Sequence, residues 1–149
     1  MKEIYKAVAT VLEADTTLVN LVEFSVANKR NTIRRGYQAF ELQQGNWEKM
    51  VVFYLQPAIP STDFTPQIRT IPLIVRVYDR QNDLNVETIA ERCIVLLDSA
   101  NLNVAGKIHV YSSIYRGDLV ATSWTEEFKS YEKVLRFELY VHNLNVTKS

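Results

Sequence analysis

Apolar residues open the chain at a helical interval. Ile4, Val8, Val11 and Leu12 fall at i, i+4, i+7 and i+8, with Lys2, Lys6 and Glu13 on the other sides, which predicts an amphipathic helix. Asp15 and Thr16 then supply an N-cap for a second short helical turn carrying Leu18, Leu21 and Val22. From Glu23 to Trp47 the pattern fades, and 25 residues are too many for a bare loop in a compact domain. That stretch is expected to hold short strands or an arm, with Gly36 and Gly45 as turn signals.

Alternation takes over at "KMVVFYLQP", where Val51, Phe53 and Leu55 share one face and Val52 and Tyr54 the other, closed by Pro57. A stiff loop with Pro60 and Pro66 leads to "IPLIVRVYD". There Ile71, Leu73, Val75 and Val77 are expected inward, and Ile74, Arg76 and Tyr78 outward. The two strands are most simply antiparallel neighbours. Asp83 and Asn85 can cap the next helix, whose stripe of Val86, Ile89, Ala90, Cys93, Leu96 and Leu97 is the strongest amphipathic signal in the chain. Three more strand-like runs follow: "KIHVYSSIY", "DLVATSW" and "KVLRFELYVH". "RGD" (Arg116 to Asp118) is expected to turn the chain between the first two, and "TEEFKSYE" joins the last pair. The order predicts an α+β fold: a mostly antiparallel sheet of about five strands with two helices packed on one face. No internal repeat or low-complexity tract interrupts it.

Length and composition fit that picture. The chain has 149 residues, 47% hydrophobic and 23% charged, which suits one soluble domain spanning 1–149. Its one cysteine excludes an internal disulfide. Polar residues interrupt the N-terminal apolar run, so neither a signal peptide nor a bilayer-spanning segment is expected, and the cytoplasm is the default site of synthesis. Seventeen basic and seventeen acidic residues balance, yet "NKRNTIRRG" holds Lys29, Arg30, Arg34 and Arg35 with no acid between Phe24 and Phe40. The remainder therefore sums to −4, and the molecule is lopsided though neutral. A dedicated nucleic-acid binder carries a basic excess over the whole domain, which is missing here.

The two histidines, His109 and His142, sit in strand-like runs opposite the aliphatic side, and Cys93 lies on an apolar helical stripe as a small hydrophobe. One Cys and two separated His do not make a structural zinc set, and "DRQNDLNVE" lacks the glycine and ligand spacing of a calcium loop. Four glycines in the chain leave no phosphate cradle. No catalytic, metal or cofactor residue is assigned, and the expectation is a protein that is not an enzyme.

The basic segment from 23 to 47 is read as an arm or long loop that contacts protein, with Lys29, Arg30, Arg34, Arg35 and Tyr37 meeting acids such as Glu126 and Glu127 on a neighbouring copy. Aromatic residues opposite the aliphatic faces, Tyr78 and Tyr140 among them with Tyr111, Tyr115 and Trp124, would serve as interface anchors or pack under a second layer of the same chain. The alternative is a single-stranded nucleic-acid module, in which the four cations pair with phosphates and Tyr37 or Phe40 stacks on bases.

Over nearly its full length the chain resembles the tail terminator (tail completion) proteins of long-tailed bacteriophages. The likeness lies in "IYKAVATVLEADTTLVNLV", a helix followed by an Asp-capped turn, and in "IPLIVRVYDRQNDLNVETIAERCIVLLD", a strand, polar link and helix. The closing "KVLRFELYVH" adds to it. The segment from Glu23 to Trp47 is longer and more basic than that pattern. The resemblance implies a structural virion protein at the head–tail junction, assembled in the host cytoplasm as a ring, typically of six copies. The ring would stop tube growth and offer a joint to the head. Its implied partners are further copies of itself, the tail tube protein and the head connector or stopper protein. DNA would pass only in transit through the lumen, and neither cofactor nor membrane is involved. A head-side neck component of the same assembly is the nearest alternative.

Overall fold

The structure is a computed structural model and describes residues 2–23, 32–36, 47–57, 59–60, 68–103 and 108–143. Its elements run α1 (Lys2–Ala14), α2 (Thr16–Val22), β1 (Thr32–Arg35), β2 (Lys49–Leu55), β3 (Ile59–Pro60), β4 (Ile68–Asp79), α3 (Asp83–Leu97), β5 (Ile108–Thr125) and β6 (Ser130–Asn143). The strands form one curled sheet in the order β1-β2-β4-β6-β5, with β3 beside β4. Every pairing is antiparallel except β1 with β2. The fold is α+β, as the periodicities require, with three helices rather than two.

Both α2 and α3 begin where a side chain satisfies an orphan amide. Asp15 accepts from Leu18 N at 2.8 Å to cap α2, as its position predicts. At α3 the cap is Asn82, which accepts from Leu84 N at 2.8 Å, and not Asp83 or Asn85. The reason lies one turn earlier. Asp79, fully buried, accepts from Gln81 N at 2.7 Å and Asn82 N at 3.1 Å, fixing the turn so that Asn82 arrives at the cap position. Asn85 is drawn back to the same carboxylate at 3.2 Å.

The helices bury Ile4, Val8, Leu12, Leu18, Val86, Ile89, Ala90, Cys93 and Leu97 against one face of the sheet, where Val51, Phe53, Leu73, Val75, Leu135, Phe137 and Leu139 meet them. Each large aliphatic or aromatic side chain so buried contributes about 1.5–3 kcal/mol. The other face is not a simple solvent face. Met50, Val52 and Tyr78 form a second small core with Trp47 and Phe128, and Ile74 is fully buried there too. Ile74 and Tyr78, expected outward, are therefore inside: the centre of the sheet is buried on both sides. Tyr78 lies between Trp47, 5.7 Å away, and Phe128, 5.6 Å away edge-on.

One further expectation changes, and one proline sits in an unusual place. Pro72 lies in β4, a central strand, where proline is normally excluded. It is tolerated because β2 ends opposite Leu73 and β3 resumes opposite Thr70, so the missing N–H falls where the neighbour changes. The Pro72 carbonyl on the same side still accepts from Gln56 N at 2.9 Å. "RGD" is not a hairpin turn. Gly117, at φ +105°, forms a bulge within one continuous 18-residue strand, and the reversal comes at residues 126–129. The "three strands" at the C-terminal end are thus two long ones.

Candidate subunit interface

The two edges of the sheet differ in shape and charge. At one edge β1 lies parallel to β2, and Gly36 N donates to Phe53 O at 2.9 Å to hold its end. Alternation along β1 turns Ile33 and Arg35 to the helical side. There α1 crosses, with the Tyr5 hydroxyl accepting from Leu55 N at 2.9 Å and the Tyr5 ring 6.3 Å from that of Phe53. The Arg35 guanidinium stands 5.2 Å over the Tyr5 ring. Between α1 and β1 opens a groove of about 200 Å³. Its floor is Ala9, Ile33 and Phe53, and the charges lining it are Lys6, Arg35 and Glu13.

At the opposite edge β5 carries four irregularities in its register with β6. Repeated bulges bend an edge strand and spoil its backbone as a template for another strand, so this edge presents side chains rather than a ladder of free backbone groups. Leu119 (50% exposed), Val120 and Trp124 (44% exposed) project from this part of the strand. The Trp124 ring stacks edge-on against Tyr131 at 5.0 Å, which puts it on the helical side, and its indole N–H donates to Glu126 at 2.9 Å. Glu126, Glu127 and Lys129 are exposed in the turn beyond it.

The edge is braced by charge. Lys133 Nζ lies 2.9 Å from Glu87 Oε2 on α3 and 3.4 Å from Asp118 Oδ2 on β5. Burial disfavours the ammonium, but the two carboxylates outweigh it and hold its pKa above the usual lysine value. Hydrogen bonds from Thr122 and then Lys133 hold Glu87 below the usual carboxylate range. Burial, followed by its hydrogen bond to Asp118, pushes the Tyr115 hydroxyl up to about 12. On the far face Arg116 donates to Glu138 Oε2 at 3.1 Å and to the Tyr140 hydroxyl at 3.1 Å, and Tyr140 donates to the same Glu138 oxygen.

The residues expected at an interface are therefore dispersed. Arg34 and Arg35 are on β1 at one edge; Glu126 and Glu127 are at the hairpin turn near the other. Tyr140 is half-buried in the Arg116–Glu138 cluster, and Tyr78 packs beneath its own chain. Lys29, Arg30 and Tyr37 lie outside the described residues. Nothing in the sequence singles out Tyr5 and Lys6. Lys6 was legible as part of a polar helical side, but nothing in the pattern tells that β1 would lie beside it. Among the described residues no three of His, Cys, Asp and Glu stand close enough to hold a metal ion. No described helix is long and apolar enough to cross a membrane.

Two solved structures share this fold. One is a chain of the virion of the native gene transfer agent (GTA) particle, 14% identical, with a TM-score of 0.67 and 93% of each chain covered. The other is the bacteriophage SPP1 gp17 protein, also 14% identical, with a TM-score of 0.53 over 99% of this chain and 93% of that one. The likeness is one of fold. No family model matches the sequence, and no curated protein matches it. At this identity the likeness does not extend to any particular side chain.

Proposed function

We propose that this chain is a structural virion protein of the tail terminator kind. It assembles head to tail into a ring of six copies at the head-proximal end of a phage tail tube, where it stops tube growth and carries the joint to the head connector. The observation that carries this reading is a fold matched along nearly the whole chain by a chain of a GTA virion and by the bacteriophage SPP1 gp17 protein. The edges of the sheet support it. A ring requires a heterologous contact in which one patch meets a different patch on the next copy. Here the patches lie on opposite edges, one with Arg34 and Arg35, the other with Glu126 and Glu127. Unlike charges steer such a contact, and like charges oppose the symmetric one. The ring's partners are the tail tube protein on one side and the head connector on the other, with DNA passing through the lumen.

Light scattering over a wide concentration range tests the ring: the expected species is six times the 17.2 kDa chain, roughly 100 kDa. Charge reversal at Arg34 and Arg35 should abolish that species while the far-ultraviolet spectrum stays unchanged. Co-sedimentation with isolated tail tubes separates a terminator, which binds them, from a head-side neck component, which does not.

A further inference from the structure

The groove between α1 and β1 is small. At about 200 Å³ it falls below the range of sites that enclose a small molecule, which begins near 300 Å³. It is the size of a socket for one side chain. Its floor is apolar, and the charged residues lining it are Lys6, Arg35 and Glu13, which leave it net positive.

A side chain of matching character is present at the other edge of the same sheet. Trp124 is 44% exposed although it is one of the largest apolar groups in the chain. Its only polar atom, the indole nitrogen, is already satisfied by Glu126 at 2.9 Å. Burying the ring in an apolar socket would therefore strand no donor, and would bring the Glu126 carboxylate toward the two cations. Both features face the helical side of the sheet and stand four strand spacings apart, about 19 Å. Within one rigid sheet they cannot meet, but a second copy placed edge to edge can join them.

Resting on the ring reading above, we infer that the contact between neighbouring copies is built by Trp124 of one entering the α1–β1 groove of the next, with Glu126 and Glu127 meeting Lys6 and Arg35. The partner is a second copy of this chain. The contact is heterologous, since each copy has one socket and one plug, and it propagates in one direction. Because β5 is bulged, the join is made by side chains and not by continuing the sheet.

A mixing experiment tests this. Lys6→Glu/Arg35→Glu disables the socket at exposed positions, and Trp124→Ser disables the plug. Circular dichroism and thermal melting check that each variant is folded. Each alone should lose self-association by about tenfold or more in dissociation constant. Mixed, the two should form a heterodimer that goes no further, because the intact plug of one fits the intact socket of the other. Adding Glu126→Lys/Glu127→Lys to the socket variant should restore assembly of that chain alone. If wild type assembles and both variants assemble equally well, the plug-and-socket contact is overturned and the ring stands. If reversing both partners does not rescue, the charge pairing is overturned. A wild-type chain that remains at 17.2 kDa up to hundreds of micromolar overturns the ring and the contact together.

Discussion

Asp15 and Arg92 lie 77 residues apart in sequence and close a two-point ion pair, Nη2 to Oδ1 at 2.6 Å and Nε to Oδ2 at 2.9 Å. The same carboxylate caps α2, so one side chain starts a helix and ties it to α3. The hydrogen bond from Arg92 is the largest influence that holds the Asp15 carboxyl below its usual value.

This dual role can be separated by substitution. Asp15→Asn keeps an acceptor for Leu18 N and loses the ion pair; Asp15→Ala loses both. Thermal melting should rank wild type above Asn above Ala, with the lost cap costing about 1 kcal/mol, or about 2–4 °C. Because the folded pKa is lowered, the pair's contribution is present above the unfolded value, about 3.9, and disappears as pH falls through the folded one. The gap between wild type and Asp15→Asn should therefore close on acidification. A gap unchanged down to pH 2 would show that the ion pair is not its source.

Lys133 joins α3 to the edge strand through Glu87 and Asp118. A double-mutant cycle with Glu87→Gln and Lys133→Met should give a coupling of roughly 0.5–1 kcal/mol, modest because Glu87 is partly exposed to water. Denaturant unfolding measures it. Zero coupling would mean that Lys133 is held by Asp118 alone.

Gly117 has open space where a Cβ would go, with nothing within 4 Å, but its φ is +105°. Gly117→Ala should therefore destabilise by roughly 1–2 kcal/mol through backbone strain alone. Stability equal to wild type by denaturant titration would mean that the bulge can relax.

Cys93 is fully buried on α3, and burial, with the Asp15 charge second, pushes its thiol up to about 12. A thiol-disulfide reagent at pH 8 should not modify the native protein, since the thiolate fraction is on the order of one in ten thousand and the sulfur is shielded. Modification should appear only on unfolding. Rapid native labelling would contradict the packing of α3.

Periodicity determined the local elements: α1, α2, α3, the strand character of β2, β4 and β6, and the cap at Asp15 could all be read from spacing and residue type, because helix and strand project side chains at fixed intervals. What the second face of the sheet does could not be read so. Ile74 and Tyr78 alternate like outward residues, and only the approach of Trp47 and Phe128 buries Tyr78. "RGD" carries turn residues, and whether Gly117 reverses the chain or bulges it depends on β6 running alongside. The Asp15–Arg92 pair, and the separation of Arg35 and Trp124 to opposite edges, follow from strand order. That order is fixed by which apolar faces pack together, a property of contacts distant in the chain, so only the tertiary structure decided it.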